Sequence, residues 1–293
     1  MLRMRTPTMD YLKAKYLDHT SKFLTIDGIT VHYRDEGTGP VLFLLHGICA
    51  SLHTWDRWVE ALGSHYRIIR MDIPGFGFSG PATKEIYDPD IGIAFLDKFI
   101  NALGLKHFFL VGNSIGGFIS WRYALNYPTK VDKLILIDPV GYSQPVPRVV
   151  WFASHPLIRP LARHMMPRHY FTVAVKQVFG DRSKVTDEIK QRYFELAMYG
   201  NNKRAYVDFF TVMRKLCTSE DLSEGIDKIQ TQTLVMWGTR DRWVPYTYFH
   251  QWKKDLRNGT FISYDGVGHI PMEEIPRRSA QDAHHYLKGK AQR

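Results

Sequence analysis

The sequence predicts an α/β protein with a mostly parallel central sheet, covered by helices on both faces and interrupted by an inserted helical cap. Three observations carry this prediction. Short apolar runs alternate with longer, helix-like segments along most of the chain. A length of 293 residues suits one well-buried core with an insertion and is short for two unrelated domains. Between residues 141 and 225 the strand pattern stops, and a stretch rich in Arg, His, Met, Phe and Trp takes over.

Taken in order, residues 1–22 set Met4, Met9, Leu12, Tyr16 and Leu17 among basic residues. They read as a leader, disordered or laid on the surface, with a short amphipathic arm as the alternative. Strands near 23–28 and 29–36 meet at Asp27-Gly28, a tight turn that makes them antiparallel. Val41-Leu42-Phe43-Leu44-Leu45 is wholly apolar, as a strand buried on both faces requires. Then come a helix near 54–64, a strand near 67–72, a helix near 88–103, a strand near 107–112, a helix near 116–127 and a strand near 133–138. Beyond the insertion, strands near 232–237 and 260–264 flank a helix near 246–256, and a helix near 274–288 closes the chain. The division is a leader at 1–22, a core formed by 23–140 and 226–293, and a cap at 141–225. Ligands of such sheets bind at the carboxyl ends of the strands. In the cap, Trp151-Phe152, Leu157-Ile158, Leu161, Met165-Met166 and Tyr170-Phe171 supply apolar surface expected to turn toward that site.

The chemistry-bearing residues fall at those strand ends. Gly112-Asn113-Ser114-Ile115-Gly116-Gly117 joins an apolar strand to a helix, and a turn that sharp holds its central side chain clear of the sheet. Ser114 is the candidate nucleophile, against the plain reading of a structural serine in a glycine-rich turn. The strand Leu234-Val235-Met236-Trp237-Gly238 is followed by Thr239-Arg240-Asp241, and Asp241 is the candidate acid. Asp138, at the end of the strand near 133–138, competes for that role, and Asp72, before Pro74-Gly75, reads as a loop-fixing residue. His269, flanked by Gly268 and placed after the last strand, is the candidate base. His46-Gly47-Ile48-Cys49-Ala50-Ser51 follows another buried strand; His46 is expected to shape that loop by hydrogen bonding, and Cys49 to pack beside it. Asn113 either orients the turn, touches a substrate, or packs beneath as a spacer.

With these motifs in the order Ser, Asp, His, the chain from about 23 to about 286 resembles the α/β-hydrolase superfamily. The resemblance implies the α/β-hydrolase fold, and it implies a serine hydrolase in which Ser114, Asp241 and His269 form the triad. The backbone N–H groups of Ile48 and Ile115 would form the oxyanion hole. The Gly-Asn-Ser-Ile-Gly-Gly block, Ile137-Asp138-Pro139-Val140-Gly141 and Gly268-His269-Ile270-Pro271-Met272-Glu273 are most similar to bacterial family V esterases and lipases and to monoacylglycerol lipases. Haloalkane dehalogenases and epoxide hydrolases carry aspartate where this chain has Ser114. The meta-cleavage-product C–C hydrolases share the Asn-Ser pair, but usually have Trp after the histidine and a Ser-Gly-Pro-Gly-like loop, where this chain has Ile270 and Ile48-Cys49-Ala50. The resemblance implies ester hydrolysis of lipophilic acyl groups, with C–C hydrolysis or non-catalytic ligand binding as alternatives. The implied substrate is a small-molecule ester, and no metal or organic cofactor is required.

The formal charge is +10. Eleven Lys/Arg against four Asp/Glu between Arg148 and Arg204 concentrate much of it in the cap. A basic cap with aromatics suits an anionic lipid surface or acidic substrates; a solvated helical face is the plain alternative. No nucleic-acid-binding motif accompanies the charge. Cys49 and Cys217 fit a reduced compartment and have no metal-ligand spacing. Without an h-region or an apolar run of about 18 residues, the expectation is a cytoplasmic protein, peripheral to membranes at most.

Overall fold

The structure, a computed structural model, describes residues 7–80, 84–164 and 167–289. Its sheet contains β1 (Ser21–Ile26), β2 (Ile29–Glu36), β3 (Val41–Leu45), β4 (Arg67–Met71), β5 (Phe108–Asn113), β6 (Val131–Ile137), β7 (Thr233–Gly238) and β8 (Gly259–Tyr264). The spatial order is β1-β2-β4-β3-β5-β6-β7-β8. Only the pairings made by β2 are antiparallel. From β3 the chain passes outward to β4 and then returns past β3 to β5. The loops leaving β3 and β5 therefore diverge and open a crevice at their carboxyl ends.

The helices are α1 (Met9–Tyr16), α2 (Asp56–Leu62), α3 (Pro89–Ala102), α4 (Ile115–Asn126), α5 (Arg148–Ser154), α6 (Arg159–Ala162), α7 (Arg168–Val178), α8 (Asp187–Ala197), α9 (Asn202–Leu216), α10 (Thr247–Asp255), α11 (Pro271–Glu274) and α12 (Pro276–Leu287). Local chemistry sets their starts. Asp88 accepts from the N–H groups of Asp90 and Ile91 before Pro89, and Thr186 accepts from Ile189 at the head of α8. Strands β3 and β5 to β7 are buried nearly throughout, because helices cover both faces of the sheet. The α2–α12 and α3–α4 packings contribute to that cover.

The structure departs from expectation in three places. The C-terminal helix expected near 274–288 is α12, and an additional short helix, α11, precedes it and stops at Glu274 because Pro276 has no N–H to continue it. The leader is more ordered than a loose strand of chain: Thr8 caps α1, and Leu12 is buried against Phe78 and Leu196. Lys15 and Tyr16 also bond the Glu195 carboxylate of α8 at 2.9 and 2.6 Å. Met4 lies outside the described residues.

The third departure is a correction in the cap, which the structure builds from α5 to α9. Tyr170 and Phe171 turn inward as expected, but Trp151, Phe152, Leu157 and Leu161 face outward. On α5 the helical period buries Val150 and Ala153 and so directs Trp151 and Phe152 to the opposite side. Met165 and Met166 lie outside the described residues. Among the described residues no helix is long and apolar enough to cross a membrane.

Candidate active site

Strand β5 ends at Asn113 and α4 begins at Ile115, so Ser114 makes the entire turn, at φ 57° and ψ −118°. This conformation costs a non-glycine residue about 1–3 kcal/mol and persists only where its surroundings enforce it. Here the Ser114 N–H donates to the Ile137 carbonyl at 3.0 Å, and its own carbonyl accepts from Phe118 and Val140 at 3.0 and 3.2 Å. Glycine makes the turn sterically feasible. A Cβ on Gly112 would strike the Gly116 carbonyl, and one on Gly116 the carbonyls of Leu45 and His46.

The structure brings Asp241 and His269 together from the ends of β7 and β8. One Asp241 oxygen, Oδ1, accepts from the N–H groups of Trp243 and Val244 at 2.7 and 3.0 Å. The other, Oδ2, lies 2.7 Å from His269 Nδ1. A carboxylate there holds the proton on Nδ1 and leaves the lone pair on Nε2. Nε2 is buried and without a hydrogen-bond partner. The Trp243 ring stacks on the imidazole at 6.1 Å and 22°. Asn113 donates through Nδ2 to the carbonyls of Ile137 and His269, both at 3.0 Å, so its side chain ties the serine turn to the histidine loop.

Asp138, the competing acid, also lies here. One ligand atom from each of Asp138, Asp241 and His269 falls within 4.8 Å of the others. Asp138 Oδ1 accepts the Gly238 N–H at 2.9 Å, while the hydrogen bond to His269 Nδ1 belongs to Asp241. Burial, reinforced by the neighbouring Asp241 charge, pushes the Asp138 carboxyl well above the usual carboxylate range. That direction favours its protonated form beside Asp241, whose oxygens already take two N–H groups and an imidazole, an arrangement that suits proton sharing better than cation binding.

Across the crevice, His46 fixes the loop after β3. Its Nδ1 donates to the Gly47 carbonyl at 2.7 Å and its Nε2 accepts the Ile73 N–H at 3.0 Å. Burial lowers its pKa and keeps the ring neutral, as that pairing requires. Asp72 holds the next turn, accepting from Leu52 and Phe78 N–H at 2.7 and 2.8 Å and meeting His32 Nδ1 at 2.7 Å. A Cβ on Gly47 would come within 3.2 Å of the Ser114 Cβ, so the loop passes directly over the serine. Among the described hydrogen bonds, the N–H groups of Ile48 and Ile115 have no acceptor. Cys49, at φ 58°, packs in this loop, and burial raises its thiol pKa.

Three contributors escaped sequence reasoning: Trp243, Glu274 and the Asn113 bond to His269. Glu274 is buried and accepts from the N–H groups of Gly180, Asp181 and Gly268 at 2.9, 2.8 and 2.8 Å. His269 N–H also donates to the Val178 carbonyl at 2.7 Å, so the cap segment 178–181 and the histidine loop are bonded together. The only sequence signal was a pair of glutamates, Glu273-Glu274, at the start of a helix. Glu274→Gln turns one acceptor oxygen into a donor facing N–H groups. We expect it to lower kcat about 10- to 100-fold and to destabilise the fold by about 1–3 kcal/mol, read by steady-state kinetics and thermal unfolding.

A cavity of about 40 Å³ touches His269, Asn113, Gly47 and Ile48 and is lined on the cap side by Tyr170 and Phe210. A second, of about 60 Å³, is lined by Ile115, Phe118, Phe209 and Met213 among others. The α9 residues Phe209 and Phe210 thus face different cavities. Both cavities are overwhelmingly apolar, and among the described residues neither is lined by Lys or Arg.

Sheet order, crevice and strand-end residues define a hydrolase of the α/β fold. The profile of the family described as "alpha/beta hydrolase fold" matches residues 40–276, and the chain belongs to that family. It is 30% identical over 240 residues to a 2-hydroxy-6-oxo-6-phenylhexa-2,4-dienoate hydrolase of Comamonas testosteroni, covering 78% of this chain and 82% of the relative. A solved structure of a bacterial membrane phospholipase A, a virulence factor, is similar at TM-score 0.76 and 26% identity, covering 92% of this chain and 86% of that one. A meta-cleavage product hydrolase matches in fold at TM-score 0.81 and 23% identity, covering 92% and 98%.

Proposed function

We propose that the protein hydrolyses carboxylic esters of lipophilic acyl groups through an acyl-enzyme on Ser114. His269 Nε2 takes the Ser114 proton as Oγ attacks the ester carbonyl, and Asp241 holds the Nδ1 proton and stabilises the imidazolium. The Ile48 and Ile115 N–H groups receive the developing oxyanion, each such donor being worth about 3 kcal/mol. The imidazolium then protonates the leaving alkoxide. In the second half, His269 activates water, the acyl–serine bond breaks, and the acid leaves with Ser114 restored. Apart from the water, every group in this scheme belongs to the chain.

The observation that carries this reading is the apolar cavity against His269 and the Ile48 loop. The relatives' names favour a second reading, C–C hydrolysis of a 2-hydroxy-6-oxo-dienoate. Such a substrate brings a carboxylate into the site, and burying it without a cation or several donors is costly. Arg192, which lines a small neighbouring pocket beside Cys49 and Tyr193, is committed to Glu273 at 2.6 Å, and the Asn113 amide to two carbonyls. Retention of the serine and of the Asp241–His269 pair also favours turnover over simple ligand binding.

Hydrolysis of p-nitrophenyl esters from acetate to palmitate, run beside 2-hydroxy-6-oxo-6-phenylhexa-2,4-dienoate, tests the choice. Esters of medium chain length are expected to have kcat/KM at least about 100-fold above the dienoate. The reverse order would transfer the assignment to C–C cleavage, and binding of an ester without turnover to a receptor.

A further inference from the structure

The outward face of the cap is apolar and cationic together. Trp151 and Phe152 on α5, Leu157 in the following loop and Leu161 on α6 are 50%, 56%, 86% and 61% exposed. They are four of the nine large hydrophobics exposed among the described residues, and they fall within eleven consecutive positions. The charge along this stretch of chain has one sign. Residues 141–180 contain Arg148, Arg159, Arg163, Arg168 and Lys176, with His155, His164 and His169, and no Asp or Glu. Arg163 is paired with Asp208, whereas Arg148, Arg159 and Lys176 take part in none of the described ion pairs.

We infer that this face, α5 to α6, docks on an anionic lipid bilayer. Exposed aromatic and aliphatic side chains beside unpaired cations match an interface with acyl chains at one depth and anionic headgroups at the next. A second copy of the chain fits less well, since an isologous contact would set Arg148 and Arg159 against their own equivalents. The position relative to the cavity gives docking a use. On the other side of α5, Val149 lines the cavity that touches His269, and its carbonyl accepts the Tyr170 hydroxyl at 2.8 Å. A bilayer held by Trp151 and Phe152 therefore lies one helix thickness from the candidate active site. Docking stands independently of the ester reading.

The test is cosedimentation of the full chain carrying Ser114→Ala, which prevents turnover, with vesicles. One set is phosphatidylcholine alone and the other phosphatidylcholine mixed with phosphatidylglycerol. The mixed vesicles are expected to bind at least about tenfold more tightly, with the excess lost in high salt. Trp151→Ser with Phe152→Ser, and separately Arg148→Glu with Arg159→Glu, should each weaken binding about tenfold or more. Lys253→Glu with Lys254→Glu on α10, an equal change of charge elsewhere, should weaken it far less. These side chains are on the surface, and circular dichroism checks that each variant is folded.

Equal binding to both vesicle types, or patch variants that bind like the parent, would overturn the inference. So would sedimentation showing a dimer that Trp151→Ser dissociates and that ignores vesicles, which would make the face a self-interface.

Discussion

Ser114→Ala is expected to lower kcat on p-nitrophenyl esters about 10,000- to 1,000,000-fold with little change in stability, measured by steady-state kinetics beside thermal unfolding. The fold should tolerate the change because the backbone bonds that hold Ser114 at positive φ, to Ile137, Phe118 and Val140, do not involve Oγ. A small residue at that position removes the attacking atom and leaves the Ile48 and Ile115 N–H groups and both cavities in place. Residual rate should therefore come from oxyanion stabilisation and positioning of water alone. A variant that retains even one per cent of the parental rate would end the acyl-enzyme proposal.

Asp241→Asn should cost about 10,000-fold in kcat, whereas Asp138→Asn should keep kcat within about tenfold of the parent. The asymmetry follows from which protons each group handles. An amide at position 241 can still accept from Trp243 and Val244 through its oxygen, but then presents NH2 to His269 Nδ1. That drives the imidazole proton to Nε2, where the lone pair is needed. At position 138 an amide keeps the acceptor oxygen for the Gly238 N–H and presents NH2 toward Asp241, much as a carboxyl whose pKa is raised by burial and by the Asp241 charge would do when protonated. Comparable losses at both positions would reassign the orienting acid, and the sharper loss at 138 would exchange their roles.

Most of the sheet was legible because buried parallel strands advertise themselves: Val41 to Leu45 can hardly be anything but a covered strand, and it is β3. The catalytic candidates were legible for a related reason. Tight turns demand glycine, so Gly112, Gly116 and Gly268 mark where a strand delivers a side chain to the crevice. What stayed hidden depends on contacts between distant parts of the chain. Nothing local marks Glu274 as the acceptor for two separate loops, and Asn113 in isolation fits a spacer as well as a tie to His269. The cap was legible as an insertion, but its orientation was not. Apolar residues alone do not tell which side of a short helix faces the core, and α5 and α6 bury Val150, Ala153 and Ala162 while exposing Trp151, Phe152 and Leu161.

The bonds from Val178, Gly180 and Asp181 to the histidine loop and Glu274 also govern how the cap can move. A flap that lifted from this end would carry His269 with it and undo the alignment with Asp241. Residues 178–181 are therefore the part of the cap whose displacement the histidine loop would feel directly, whereas α5 and α6 make none of these bonds and could shift without disturbing the register of the base.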